Sequence, residues 1–137
     1  MMNPEQIAVI GAGSWGTALA KLLSEKGSNV RLWAHRAEQA ASLKKNKENR
    51  TYLPGFSLNE RIVPSSDIEA VVRGSSVVVM VVPSHVYREI FVSLLPFLEQ
   101  NAHVVSATKG IENKTLLTMN QIMAEELKQN RPEVCGT

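Results

Sequence analysis

The sequence predicts a three-layer α/β domain built on a doubly wound, mostly parallel sheet. Three observations carry this. Short apolar runs alternate with stretches of helical spacing along almost the whole chain. The strongest run, Ser76 to Val82 (SVVVMVV), is rich in β-branched residues and lacks polar alternation. That suits a parallel strand covered on both faces. The first run, Gln6 to Ile10, leads directly into Gly11-Ala12-Gly13-Ser14-Trp15-Gly16 and then a helical stretch, the strand–turn–helix order of a dinucleotide-binding unit.

The elements follow in order. Gln6 to Ile10 reads as a buried strand. Trp15 to about Lys26 reads as a helix with Ala18, Leu19, Leu22 and Leu23 on its apolar face, ended by Gly27. Asn29 to Ala34 is the second strand, and Ala37 to Lys47 a polar, weakly amphipathic helix. Asn49 to Leu58 reads as a loop with Pro54-Gly55 as its turn signal. Arg61 to Val63 forms a short strand, and Asp67 caps a short helix ending near Gly74. After the Ser76–Val82 strand, Pro83-Ser84 opens a helix to about Leu95, where Pro96 is a stop. His103 to Ala107 is a strand. Leu116 to about Asn130 is a helix with Leu116, Met119, Ile122, Met123 and Leu127 on one side. Val134-Cys135 reads as the start of a further strand, so the domain is expected to be cut shortly before its end.

Composition limits the function. A chain of 137 residues is one domain's worth, and 44% hydrophobic with 20% charged residues is ordinary for a globular domain. A net charge of +2 is too small to argue for nucleic acid or a membrane surface, and neither is expected as a partner. The run Lys44-Lys45-Asn46-Lys47 reads as a solvated helix face. The lone Cys135 excludes an internal disulfide, and no His/Cys spacing suits a metal. No signal peptide and no membrane-length apolar run is visible. A cytoplasmic protein is the expectation.

The glycine loop assigns each glycine a task. Gly11 permits the tight turn out of the strand, Gly13 lets a pyrophosphate approach the backbone, and Gly16 lets the helix pack closely. The helix N-terminus offers its free N–H groups to the phosphates. A site for NAD places a carboxylate at the end of the second strand. Here that strand ends Leu32-Trp33-Ala34-His35-Arg36. Arg36 suits a 2′-phosphate, and His35 assists it or stacks on adenine. NADP, or use of both cofactors, is therefore expected, with NADPH favoured. Trp15 has two readings, as a core residue at the helix start or as a backbone donor along the cofactor path. Val82-Pro83-Ser84-His85 follows the strongest strand and should face the nicotinamide half. There Ser84 reads as a helix cap and His85 as structural or exposed rather than a general acid. Lys109, at the end of the next strand beside Gly110, suits a phosphate or a carbonyl.

Taken together, GAGSWGTALA (11–20), RLWAHR (31–36), NRTYLPG (49–55), VVPSHV (81–86) and SATKGIE (106–112) resemble the bacterial-type NAD(P)-dependent glycerol-3-phosphate dehydrogenases. The resemblance implies that residues 1–137 are an NAD(P)-binding Rossmann domain. The implied reaction is reduction of dihydroxyacetone phosphate to sn-glycerol 3-phosphate, a precursor of phospholipids. It implies that Ser14 and Trp15 contact the cofactor diphosphate. His35 and Arg36 sit at the adenosine ribose, Tyr52 lies near the cleft, and Pro83 packs near the nicotinamide. Lys109 touches both cofactor and substrate. The family's helical C-terminal domain, with its proton-donating lysine, is absent from these residues, so no catalytic acid is expected among them. The contacts of any homodimer of the full-length enzyme would lie largely in that domain. Two other readings stand beside this one: a stand-alone nucleotide-binding or sensing module, and a Rossmann dehydrogenase for another small substrate.

Overall fold

The computed structural model describes residues 5–134. Its centre is a five-stranded sheet formed by β1 (Gln6–Ile10), β2 (Asn29–Trp33), β5 (Ile62–Ser65), β6 (Val77–Met80) and β7 (His103–Ser106), in the order β5-β2-β1-β6-β7. Every pairing in it is parallel, as in Ile7 with Val30 and Ile10 with Met80. The doubly wound expectation therefore holds. The order reverses between β1 and β6, and ligands bind outside the carboxyl ends of strands at such a switch point.

Strand alternation divides the core in two. Ile7, Val9, Val30 and Leu32 face α1 (Ser14–Glu25) and α2 (Ala37–Asn46). Ala8, Ile10, Val78 and Met80 face α3 (Ile68–Val72), α4 (Tyr87–Leu94) and α5 (Met119–Asn130). The central strands are thus buried on both faces, which accounts for their unbroken apolar runs. The Asp67 cap is present: its Oδ1 accepts from the Glu69 and Ala70 amides at 3.1 and 3.4 Å.

Several expectations are corrected. The buried residues of α1 are Gly16, Thr17, Ala20 and Ser24, while Leu22 is exposed. Leu19 and Leu23 of the expected apolar face do pack against the core, half-buried, while small residues occupy the closest approach to the glycine loop. Residues 49–58 are not merely loop: β3 (Glu48–Asn49) pairs antiparallel with β4 (Leu53–Ser57). The chain reverses at residues 50–52, leaving Pro54-Gly55 inside β4. The helix expected from Pro83-Ser84 begins instead as a 3-10 turn over Ser84–Val86, and Ser84 supplies no side-chain cap. α5 starts at Met119, not Leu116, because Thr118 and Gln121 form a reciprocal capping box. Leu116 lies outside it, exposed, with φ of 61°. Lys44 and Lys45 are solvated, as expected. Val134 is a buried bend, and the rest of the expected final strand lies outside the described residues.

Candidate functional site

The carboxyl ends of β1, β2, β6 and β7 open into one cleft of about 810 Å³. Its floor is the loop from Gly11 to Gly16. Trp33, His35 and Gln39 line one side, and Val81, Val82 and Pro83 the other. Ala107 and Thr108 close it beyond β7, and Val86, Glu89 and Ile90 contribute from the α4 side.

The three glycines of the loop stand in different surroundings. A Cβ on Gly11, whose φ is 128°, would meet the Val81 carbonyl oxygen at 2.4 Å. A Cβ on Gly16 would meet the Gly11 carbonyl oxygen at 1.9 Å. Both positions are dictated by the fold. Gly13 differs: its φ of −77° suits any residue, and a Cβ there would have no neighbour within 4 Å. Nothing among the described residues requires glycine at Gly13, and the open space belongs to the cleft. Thr17 N makes the first helical bond, to the Gly13 carbonyl at 3.0 Å. The amides of Ser14, Trp15 and Gly16 precede it and have no acceptor within the helix. No carboxylate stands in the first turn of α1 to compete for them. An anionic diphosphate fits this bare backbone and the positive helix end.

A polar scaffold holds the loop. Buried Asn49 donates through Nδ2 to the Ala12 carbonyl at 2.9 Å and to Thr17 Oγ1 at 2.8 Å. Its Oδ1 accepts from the Tyr52 amide at 3.2 Å. Gln39 Nε2 also donates to the Ala12 carbonyl, at 2.9 Å. Ser14 Oγ donates to the Tyr52 carbonyl at 2.6 Å. Residue reading missed Asn49 and Gln39 as site residues. The only signal was that Asn49 opens the NRTYLPG motif, and its partners are distant in sequence.

The expected site residues are mostly brought together. Gly11, Gly13, Ser14, Trp15, Gly16, His35, Tyr52 and Pro83 all line the cleft. Trp15 is exposed, so its side chain is not a core residue. The His35 ring stands edge-on to Trp33 with centroids 5.7 Å apart. Trp33 is itself fixed by an Nε1 bond to the Ser66 carbonyl at 3.1 Å. Arg36 is exposed and lines a separate groove that shares His35, Gln39 and Tyr52 with the cleft. Lys109 is exposed and follows Thr108 on the rim without lining the cleft itself. Thr108 Oγ1 bonds the Val82 carbonyl at 2.7 Å, fixing the start of that segment to the end of β6.

The charges nearby are structural. Arg88 on α4 binds both carboxylate oxygens of Glu112, at 2.8 and 2.9 Å, and reaches Glu125 at 2.7 Å and Glu126 at 2.5 Å. The Arg88 guanidinium, helped by the Thr115 hydroxyl, holds the Glu112 carboxyl down at about 2. Arg88 is correspondingly raised by the Glu112 bond. Burial pushes the Tyr87 phenol up to about 12, against a smaller lowering by the nearby Ser106 hydroxyl. That phenol keeps its proton and serves as no base. His85 is exposed beside Arg88 and Glu112 in a recess apart from the cleft. No group of His, Cys, Asp and Glu among the described residues could hold a metal.

A family model for the N-terminus of NAD-dependent glycerol-3-phosphate dehydrogenase matches residues 6–136. The chain belongs to this family. It is 55% identical over 121 residues to a glycerol-3-phosphate dehydrogenase [NAD(P)+] from Desulfotalea psychrophila, covering 88% of this chain and 36% of that protein. A namesake from Citrifermentans bemidjiense is 48% identical over 130 residues, covering 95% of this chain and 39% of that protein. The crystal structure of the glycerol-3-phosphate dehydrogenase from Coxiella burnetii superposes with a TM-score of 0.86 at 32% identity, over 92% of this chain and 38% of that one. The chain therefore spans little more than a third of the length of the family members it matches.

Proposed function

We propose that this chain is the cofactor-holding part of an NAD(P)H-dependent glycerol-3-phosphate dehydrogenase that reduces dihydroxyacetone phosphate to sn-glycerol 3-phosphate. The observation that carries this is Gly13, a glycine that the fold does not need, at a helix N-terminus on the floor of a dinucleotide-sized cleft. The names of the similar proteins support the substrate and the cofactor pair.

In this reading the amides of Ser14 and Trp15 bind the diphosphate. His35 and Arg36 take the adenosine ribose, with Arg36 favouring NADPH. Tyr52 shields the adenosine side, and Pro83 packs against the nicotinamide end. The reduced nicotinamide supplies, when bound, the hydride that turns the ketone into an alcohol. Lys109 orients the substrate through its phosphate or carbonyl oxygen. The family resemblance puts the proton donor in a helical domain outside these residues, so the proton for the product oxygen is assigned to the remainder of the enzyme. The full-length enzyme is assigned to the cytoplasm and to a homodimer. No described helix is long and apolar enough to cross a membrane.

The test is a titration of the 137-residue chain with NADPH and NADH, followed by nicotinamide fluorescence, and an assay with dihydroxyacetone phosphate. Saturable binding without turnover is expected. Absence of binding to either dinucleotide refutes the assignment, and steady turnover refutes the placement of the acid elsewhere.

A further inference from the structure

The groove beside the cleft holds a second cation that neither the sequence motifs nor the family name assigns. Arg36 at the start of α2 and Arg50 just after β3 both line it. The groove holds about 440 Å³ and joins the cleft through His35, Gln39 and Tyr52. Both arginine segments hang from one atom. Gln39, three residues after Arg36, and Asn49, immediately before Arg50, each donate to the Ala12 carbonyl at 2.9 Å. The glycine loop therefore fixes where both arginines begin.

The neighbouring charges leave these cations available. Among the described residues neither guanidinium makes a hydrogen bond or ion pair, although Glu38 and Glu48 also line the groove. Glu48 is engaged elsewhere, accepting from the Gly55 amide at 3.1 Å. Two unpaired guanidinium groups in one groove repel each other, and a doubly charged anion relieves that repulsion. Guanidinium forks bind phosphate oxygens by paired, charge-assisted hydrogen bonds. The groove lies where β2 ends, on the adenosine side of a dinucleotide laid along the glycine loop.

We propose that Arg50 is a specificity-determining residue that closes with Arg36 on the 2′-phosphate of NADPH. The inference rests on the proposed function, because it takes the cleft to hold a dinucleotide. The pairing explains how an exposed surface arginine selects between cofactors: one guanidinium is screened by water and salt, whereas a phosphate held from two segments is ordered.

The experiment measures binding of adenosine 2′,5′-bisphosphate and of adenosine 5′-monophosphate by calorimetry, for the chain and for Arg50→Ala, Arg50→Lys and Arg36→Ala. Arg50→Ala is expected to weaken the bisphosphate roughly tenfold, the order of one charge-assisted bond. The monophosphate is expected to change less than about twofold, because it lacks the group that Arg50 reads. Arg50→Lys should recover part of the loss. Equal weakening of both nucleotides, or no weakening of either, overturns the role of Arg50 while leaving the cofactor cleft in place. Failure of the unaltered chain to bind NADPH, NADH and both adenosine phosphates overturns the cleft reading itself. Melting curves of the variants separate loss of binding from loss of fold.

Discussion

Gly13→Ala isolates what the cofactor demands from what the fold demands. The substitution places a methyl where, beyond its own chain neighbours, no described atom lies within 4 Å, at a φ of −77° that alanine adopts freely. Removing a glycine restricts the unfolded chain and stabilises by about 0.4–1 kcal/mol. Against this, alanine is a poorer N-cap than glycine, by roughly 0.5 kcal/mol. The opposing terms leave stability within about 0.5 kcal/mol of the parent. Binding behaves differently. The new methyl stands on the floor of the cleft, beside the amides of Ser14 and Trp15. Displacing a diphosphate oxygen from a single charge-assisted bond costs about 1.5–3 kcal/mol, which lowers NADPH affinity roughly 10- to 150-fold. Gly16→Ala is the contrasting control, because its Cβ would sit 1.9 Å from the Gly11 carbonyl oxygen, and it should fail to fold stably. Thermal denaturation and NADPH titration of the same preparations decide the matter. An intact Gly13→Ala protein that binds NADPH like the parent removes the argument that the ligand explains this glycine.

Two further perturbations test the scaffold. Asn49→Ala removes two donated bonds and one accepted bond of a buried side chain. It is expected to cost about 2–4 kcal/mol, and a fall in melting temperature of roughly 8–15 °C should accompany it. A fall of less than about 2 °C would show that the amide does not hold the loop. For Glu112, the folded pKa is depressed from 4.5 to about 2. Its contribution is therefore present above pH 4.5 and lost as pH falls through about 2. Melting temperatures of the parent and of Glu112→Gln, compared from pH 6 downward, should converge across that window, and a constant gap would refute the assignment.

How much was legible in the sequence depended on the range of the interactions involved. Gly11, Gly13 and Gly16 were readable because a turn, an approach and a contact follow from their spacing and lie within one strand–turn–helix. The parallel sheet was readable because Val77–Met80 is buried on both faces and carries no polar alternation. The apolar face of α1 was legible in part. Leu19 and Leu23 pack against the core, but Gly16 and Ala20 set the closest approach and Leu22 turns outward. β3 and β4 were hidden because so short a hairpin pairs only across a turn that no Asn-Gly or Asp-Gly marks. Gln39 gave no signal and Asn49 only its place at the head of NRTYLPG, since each side chain is drawn to the site by a carbonyl 27 or 37 residues away.

The shared acceptor at Ala12 has a consequence for how this loop tolerates change over generations. Two amides from separate segments converge on one oxygen. Loss of either leaves the oxygen satisfied by the other, while loss of both strands a buried carbonyl, which costs more than either bond alone. Drift at Gln39 is thus buffered while Asn49 persists, whereas Asn49 also holds Thr17 and Tyr52 and is not spared by Gln39. A lineage that gives up Gln39 leaves the oxygen to Asn49 alone, so the history of one position narrows the freedom of the other.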